Sequence, residues 1–536
     1  MNNHITLGGY DFSFSVITTQ NFYEPDEFTI TESGDAVNAR VDRLWCGERS
    51  TAVAASLQIN FAHTQDGIQW QARASHPELI KGIKVSIRSL PNAEILIPLN
   101  RGFHLADGEQ LKICFPYQTH PKHHRWKAQF VAFRTANKIL WLDNREHPFR
   151  VKRLWLTRHG DQLAIDVYNE DHARSRSHEF KTPLWTLREV PSWEEAVEDY
   201  RRWMENVYQL TPLEKRADAP KWLNDIALTV MMLGEGLVGH IGYTFAQMEE
   251  RLDELAKVFP AQHTLLYLPG YDGRMDMHWP DIYPAEVLGG AAGFGKLAAH
   301  AHQLGFKIIL HLSLWGIDRS SEFYKQFQND LVFDSEGRPQ EWETDRDGDG
   351  LAERVFAYVS PDSADFRNLI RDRVRVLVEE FHIDAIHFDQ THSYRNDLHH
   401  DHYRGVCALY DEMRQAFPNV LFGGESLSEI TVPLLPLAQT RTGVIQVDDA
   451  ECFQKLFAPY TRRYGHPGIL APEPTRNPWS HPTWTLEAFQ HQMKMQEAAG
   501  AIPTLCLTHR HIRLDSQAAK IVLDYAQRFL KSLHAS

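Results

Sequence analysis

Cysteine is scarce in this chain: Cys46, Cys114, Cys407, Cys452 and Cys506 are odd in number, scattered, and form no CxxC pair. That usage excludes a disulfide framework and a cysteine-based zinc site, and leaves buried thiols as the plain reading. No stretch approaches the roughly 18 consecutive apolar residues that a membrane span requires. The start, MNNHITLGGYDFSFSV, lacks a basic n-region followed by an apolar h-region, so the chain reads as cytoplasmic. Clusters of Lys and Arg are missing as well, and with a formal net charge of −14 neither nucleic acid nor a membrane is an expected partner. There is no GxGxxG or GxxxxGK[ST] to cradle a nucleotide cofactor. The HPKHH and HHDH clusters lack HExxH spacing and read as exposed surface rather than a metal site.

What is present is an ordinary globular balance, 43% hydrophobic and 24% charged over 536 residues, enough for two or three domains with substantial cores. Residues 1–190 carry short alternating runs such as FSFSVITT, GIQWQARAS, WKAQFVAFR and QLAIDVYNE, divided by Asn, Gly, Asp and Pro, which predict an antiparallel β-sandwich. Residues 191–215 read as a linker helix, with Ser192 as N-cap and Glu195 three residues on completing a capping box.

From 216 to 536 the pattern becomes strand and helix in alternation. Apolar strands are predicted at 226–233, 264–270, 307–315, 384–389, 420–425, 443–449, 467–472 and 501–508, with amphipathic helical segments between most of them. Near-continuous apolar strands need helices on the outside of a parallel sheet, and eight such units predict a (β/α)8 TIM barrel. Ser360-Pro361 is expected to cap and open one of the crossover helices. Before it, residues 316–360 form a long insertion that reads as irregular and would lie over the barrel mouth.

Catalytic groups in such a barrel come from the C-terminal strand ends. Those positions hold Tyr271, Asp272 and Asp276, then Trp315 and Asp318, then Asp389, Gln390 and His392, then Glu425, Asp448 and Asp449, Glu473, and finally His509, Arg510 and His511. Two carboxyl groups about 5 Å apart cleave glycosides with retention, and adjacent strands lie about 4.7–4.9 Å apart, so Asp389 and Glu425 on consecutive strands fit a nucleophile and a general acid/base. Single strand-end acids also serve as caps or loop residues, and Asp448 and Asp449 rival Glu425 for the acid/base role. Asp272, in GYDG, suits either sugar hydroxyls or a turn. His387 and His392 flank the nucleophile, and Arg510 stands at the last strand end. Trp279, Trp315, Tyr394, Trp479 and Trp484 fall in mouth loops, where each offers a stacking face for a sugar or simple loop packing.

Within the insertion, TDRDGDGLAERV spaces Asp345, Asp347 and Asp349 around a Gly turn, with Glu353 following. Phe356 holds the position where an EF-hand needs Glu, so the alternatives are a non-EF-hand calcium site or a solvated acidic turn. No other cofactor is implied.

The IDAIHFDQT motif ending the fourth strand, with an N-terminal sandwich and linker helix ahead of it, resembles the retaining α-glycosidases of the TIM-barrel glycoside hydrolases, the group containing the α-amylase, α-galactosidase and endo-α-N-acetylgalactosaminidase families. The resemblance covers most of the chain in architecture and short motifs in sequence. It implies an α-linked carbohydrate substrate, Asp389 as nucleophile and Glu425 as acid/base. In the α-amylase pattern an Arg stands two residues before the nucleophile, where this chain has His387, and the last-strand His-Asp pair is replaced by LTHRHIRLD. These departures indicate a divergent member. A transglycosidase, a non-catalytic carbohydrate-binding relative, and a metal-dependent hydrolase remain the alternatives. A homo-oligomer is compatible with all of them.

Overall fold

The computed structural model describes every residue except 1–3, 48, 66, 99, 117–123, 237–238, 274–277, 346–348, 442–453, 467–484, 509, 511 and 536. Two compact units divide the chain: Met1–Gln209 with Ser393–His399, and Leu210–His392 with His400–Ser536.

The first unit is built from two antiparallel sheets. One runs in the order Tyr10–Thr18, Ile80–Pro91, Gln162–Glu170, Lys152–His159 and Gln110–Phe115. The other runs Ala36–Cys46, Thr51–Thr64, Gly67–Ser75, Trp185–Val190, Ile139–Asn144 and Phe130–Arg134. Strict alternation, as in Gly67–Ser75 where every second residue is buried, turns one face of each sheet inward. Phe12 of the first sheet meets Phe61 and Trp70 of the second edge-on, at 5.2 and 5.3 Å, contacts worth about 0.5–1.5 kcal/mol each beyond burial. Helix α1 (Trp193–Val207) begins where expected, the Ser192 side chain accepting the Glu195 N–H. It lays Trp193 and Tyr200 against Phe130 and Trp141. Asn396 joins this unit by accepting the Ala173 N–H at 2.8 Å and donating to the Asp171 carbonyl at 2.9 Å.

The second unit holds an eight-stranded parallel sheet: β1 (Leu228–Met232), β2 (Thr264–Leu268), β3 (Lys307–Ser313), β4 (Ala385–Asp389), β5 (Leu421–Glu425), β6 (Leu437–Arg441), β7 (Arg462–His466) and β8 (Thr504–Leu507). Neighbours pair in the order β7-β6-β5-β4-β3-β2-β1-β8. A parallel bridge between Tyr464 and Ile502, with N–H to carbonyl bonds of 2.9 Å (Gly465 to Ile502) and 2.8 Å (Ile502 to Arg463), joins the two ends into a barrel-like ring. Among the described residues, α2 (Phe245–Val258), α3 (Gly290–Leu304), α4 (Ala364–Phe381), α5 (His402–Ala416), α6 (Leu486–Ala498) and α7 (Gln517–Ala535) follow β1, β2, β3, β4, β7 and β8. None of the described helices is long and apolar enough to cross a membrane.

Three local expectations are corrected. The sixth and seventh strands of the described sheet are LAQTR and RRYGH, two segments not expected as strands, while the runs expected at 443–449 and 467–472 lie outside the described residues. These strands take their places by pairing and by inward Leu437 and Tyr464, both fully buried, so hydrophobic run length was a poor guide. Helix α4 starts after Ser363, whose side chain accepts the Phe366 N–H, while the Ser360 hydroxyl closes a turn on Asp362. The insertion carries regular structure: Gly316–Asp318, Glu341–Thr344 and Glu353–Tyr358 form a small antiparallel sheet.

The ring's lower interior is apolar, packing Ile309, Ala385, Leu421 and Leu437 against Leu223 and Ile226. Asp384, just before β4, accepts from Lys307 (2.7 Å), His302 (2.9 Å) and the Ile308 N–H (2.9 Å). Burial alone would raise its pKa, but these donors hold it below the ordinary carboxylate value. A depressed folded-state pKa means stability that is present at neutral pH and lost as pH falls through that value. Asp384→Ala should therefore lower unfolding stability by about 1–3 kcal/mol at neutral pH, and the gap from wild type should narrow in acid. Paired denaturation curves at the two pH values check both points.

Candidate active site

The register of the parallel strands levels two carboxylates. Ser313 pairs with Asp389 across β3 and β4, and Phe388 pairs with Gly424 across β4 and β5, so Asp389 and Glu425 end adjacent strands at the same height. Each is followed by a non-glycine residue in the left-handed region, Gln390 at φ 59° and Ser426 at φ 62°. Such conformations cost energy and concentrate where geometry serves function. The turn at Gln390 brings its N–H to Glu425 Oε2 at 3.1 Å, and His392 Nδ1 lies 3.3 Å from the same oxygen. Glu425 is only 1% exposed; Asp389 is half-buried.

Beneath the pair lies a polar layer from the inward positions of β2, β3, β4 and β7. Tyr267 bonds His311 Nδ1 at 2.5 Å and Tyr464 bonds His387 Nδ1 at 3.0 Å, while the two imidazoles stack with centroids 5.4 Å apart. Burial drives the Tyr464 hydroxyl well above its ordinary pKa, and the charges of Glu425 and Asp389 add to that, which places both carboxylates within its electrostatic reach.

Gly423 and Gly424 serve packing. A Cβ at Gly424 would strike Thr391 Oγ1 and come within 2.9 Å of the Tyr410 hydroxyl. Thr391 donates to the Phe388 carbonyl at 2.7 Å and Tyr410 to the Gly423 carbonyl at 3.0 Å, so the glycines admit the bonds that shape both strand ends.

Among the described residues, the aromatic rings expected at the mouth are buried. Tyr271 is fully buried and donates its hydroxyl to the Ile282 carbonyl. Trp279 is fully buried, and Trp315 stacks on Tyr358 at 4.3 Å with His402 behind it at 4.4 Å. Tyr394 belongs to the first unit, 5.7 Å from Phe149. Asp272 is 7% exposed on the loop after β2. His387 and His392 join the candidate site, whereas Arg510 is exposed and offers its carbonyl to Arg251. Asp448, Asp449, Asp276, Glu473, Trp479, Trp484, His509 and His511 lie outside the described residues.

In the insertion, Asp345, Asp349 and Glu353 bring carboxylate oxygens within 4.8 Å of one another, with Asp347 outside the described residues. Asp345 accepts the Gly350 N–H at 3.0 Å and Asp349 the Leu351 N–H at 2.7 Å, both as turn caps. Sequence reasoning passed over Tyr267, His311 and Tyr464. The available signal was a polar ring at an inward position of an otherwise apolar strand, as in KIILHLS.

Comparison with known proteins agrees with this architecture. A family described as "Domain of unknown function (DUF6259)" matches residues 186–430. No curated protein matches the sequence. Among solved structures, the α-N-acetylgalactosaminidase NagBb of Bifidobacterium bifidum in its GalNAc complex aligns with TM-score 0.69 at 13% identity, covering 99% of this chain and 93% of that one. The GH36 α-galactosidase AgaA of Geobacillus stearothermophilus aligns with TM-score 0.52 at 10% identity, covering 99% and 76%. The α-galactosidase of Lactobacillus brevis aligns with TM-score 0.50 at 13% identity, covering 97% and 72%. The fold is thus α-glycosidase-like, in a chain divergent in sequence.

Gly424→Ala should destabilise the protein by about 1–3 kcal/mol through overpacking. Gly295→Ala in α3, where the new Cβ meets only Phe381 at 3.9 Å, should be neutral or stabilising by up to about 1 kcal/mol. Thermal unfolding of both variants measures the contrast.

Proposed function

We propose that this protein is a glycoside hydrolase that cleaves an α-linked glycoside with retention, Asp389 acting as nucleophile and Glu425 as general acid/base. The observation that carries the reading is the level pair of carboxylates on adjacent strand ends, since strand spacing of about 4.7–4.9 Å fits the separation of about 5 Å that double displacement requires. In the first step the Asp389 carboxylate attacks the anomeric carbon while Glu425 gives its proton to the departing glycosidic oxygen. In the second, water attacks the glycosyl-enzyme ester and gives a proton to Glu425, which releases the sugar and restores Asp389. His392 and the Gln390 N–H orient Glu425 for both transfers.

The fold relatives, one solved with GalNAc and others α-galactosidases, suggest the substrate class. Aryl α-N-acetylgalactosaminides and α-galactosides are the first panel to test. Transfer to an acceptor sugar in place of water would use the same two steps.

Asp389→Asn should abolish turnover of every substrate that the wild type cleaves. Glu425→Gln should cost about 10²–10⁴-fold, with the loss largest for glycosides whose leaving group needs protonation and smallest for dinitrophenyl-type leaving groups. A wild type inactive on the whole panel, or two variants as active as the wild type, would overturn the assignment. A uniform loss in Glu425→Gln, with leaving-group dependence appearing instead in Asp448→Asn or Asp449→Asn, would move the acid/base role to that aspartate.

Calcium is the ion we assign to the cluster of Asp345, Asp349 and Glu353, with Asp347, outside the described residues, as a further candidate ligand. EGTA should lower the unfolding midpoint of the wild type, added calcium should restore it, and Asp345→Asn should be insensitive to both. A wild-type midpoint unmoved by chelator contradicts the assignment.

A further inference from the structure

The polar layer under the carboxylates sets beside Asp389 two imidazoles to which the proposed cleavage gives no role. His311 and His387 are register partners on β3 and β4, and Asp389 stands two residues beyond His387 on the same inward face. One ligand atom from each lies within 4.8 Å of the others, and His311 and His387 are 5% and 0% exposed. Both rings are fixed from behind, His311 by the Tyr267 hydroxyl at 2.5 Å and His387 by the Tyr464 hydroxyl at 3.0 Å, each at Nδ1. An outer partner on one ring nitrogen is the device that sets tautomer and orientation in metal-ligating histidines. Two imidazoles with one carboxylate favour a first-row transition ion over calcium or magnesium, which take oxygen.

We infer that His311, His387 and Asp389 form a binding site for a divalent transition-metal ion such as Zn²⁺. Ion binding selects the tautomer in which each Nδ1–H donates to its tyrosine oxygen and each Nε2 presents its lone pair to the metal. With ligand distances of about 2.0–2.2 Å, donor atoms around an ion stand roughly 3–3.5 Å apart, within the 4.8 Å limit that these atoms already satisfy. The three ligands come from two hydrogen-bonded strands, which leaves the remaining coordination positions for water or a substrate oxygen. Asp389 cannot hold the ion and attack an anomeric carbon at once. Where the hydrolase reading holds, the ion is therefore a reversible inhibitor competing with substrate. That consequence rests on the proposed function, while binding itself does not.

The full chain, stripped with chelator, is titrated with Zn²⁺ in a calorimeter and with Co²⁺ in a visible spectrometer. One tight site is expected, with the d–d absorption of a low-coordinate nitrogen and oxygen environment. His311→Gln and Asp389→Asn should each weaken Zn²⁺ binding at least tenfold, and Tyr464→Phe by about 10- to 100-fold with stoichiometry unchanged. Melting curves establish that each variant is folded; if His311→Gln is not, Tyr267→Phe carries the same expectation as Tyr464→Phe. A folded wild type without a tight site overturns the inference, as does Zn²⁺ affinity unchanged in these variants, which would assign the ion to surface histidines. Tight binding in a chain that cleaves no glycoside supports the metal site and counts against the hydrolase reading alone. Hydrolysis unaffected by saturating Zn²⁺ at an otherwise confirmed site removes the inhibitory consequence.

Discussion

Hydrogen bonds that pair Phe388 with Gly424 and Ser313 with Asp389 lock three neighbouring parallel strands in register, and the chemistry proposed for this protein depends on that lock. Side chains on a strand alternate faces, so a slip of one residue would turn a carboxylate out of the ring and into the helix layer. The register also decides what can follow each strand. Gln390 and Ser426 adopt left-handed backbone immediately beyond the two acids, and the first of these turns delivers the N–H that holds Glu425. Gly424 carries no side chain because Thr391 and Tyr410 occupy that space to brace the same two strand ends.

The ring interior changes character with height. Ile309, Ala385, Leu421 and Leu437 make an apolar floor, where burial is favourable at about 25 cal/mol per Å². One layer up, Tyr267, His311, His387 and Tyr464 replace aliphatic packing with hydrogen-bonded rings, an arrangement that costs desolvation unless every polar atom is matched. The third layer is acidic. A protein built for stability alone would continue the aliphatic floor upward, and the polar layer with the acids above it is what motivates placing the proposed chemistry at this end of the barrel.

Much of this was legible beforehand, and the failures have physical reasons. The strands ending in Leu268, Ser313, Asp389 and Glu425 announce themselves because a strand buried on both faces must be nearly continuous in apolar residues. The strands LAQTR and RRYGH do not, since short polar segments hydrogen-bonded to their neighbours hold their places with few inward apolar residues. Asp389 and Glu425 were identifiable as acids closing apolar strands. The burial of Tyr271, Trp279 and Trp315 was not legible, because a ring in a loop serves equally to stack on a ligand or to fill the loop, and sequence spacing cannot tell which face is covered. His311 and Tyr464 were missed because a single polar residue inside a strand gains meaning only when strands distant in sequence bring its partners alongside.

The central claim is that Asp389 forms a covalent bond to the sugar. Incubation with an activated fluoro-glycoside that accumulates the intermediate, followed by proteolysis and mass spectrometry of the labelled peptide, tests it directly. One equivalent of sugar is expected on the peptide containing IDAIHFDQ, with fragmentation assigning it to Asp389 and no label on Asp389→Asn. Label on another carboxylate, or turnover of the glycoside with the anomeric configuration inverted and no label at all, would contradict it.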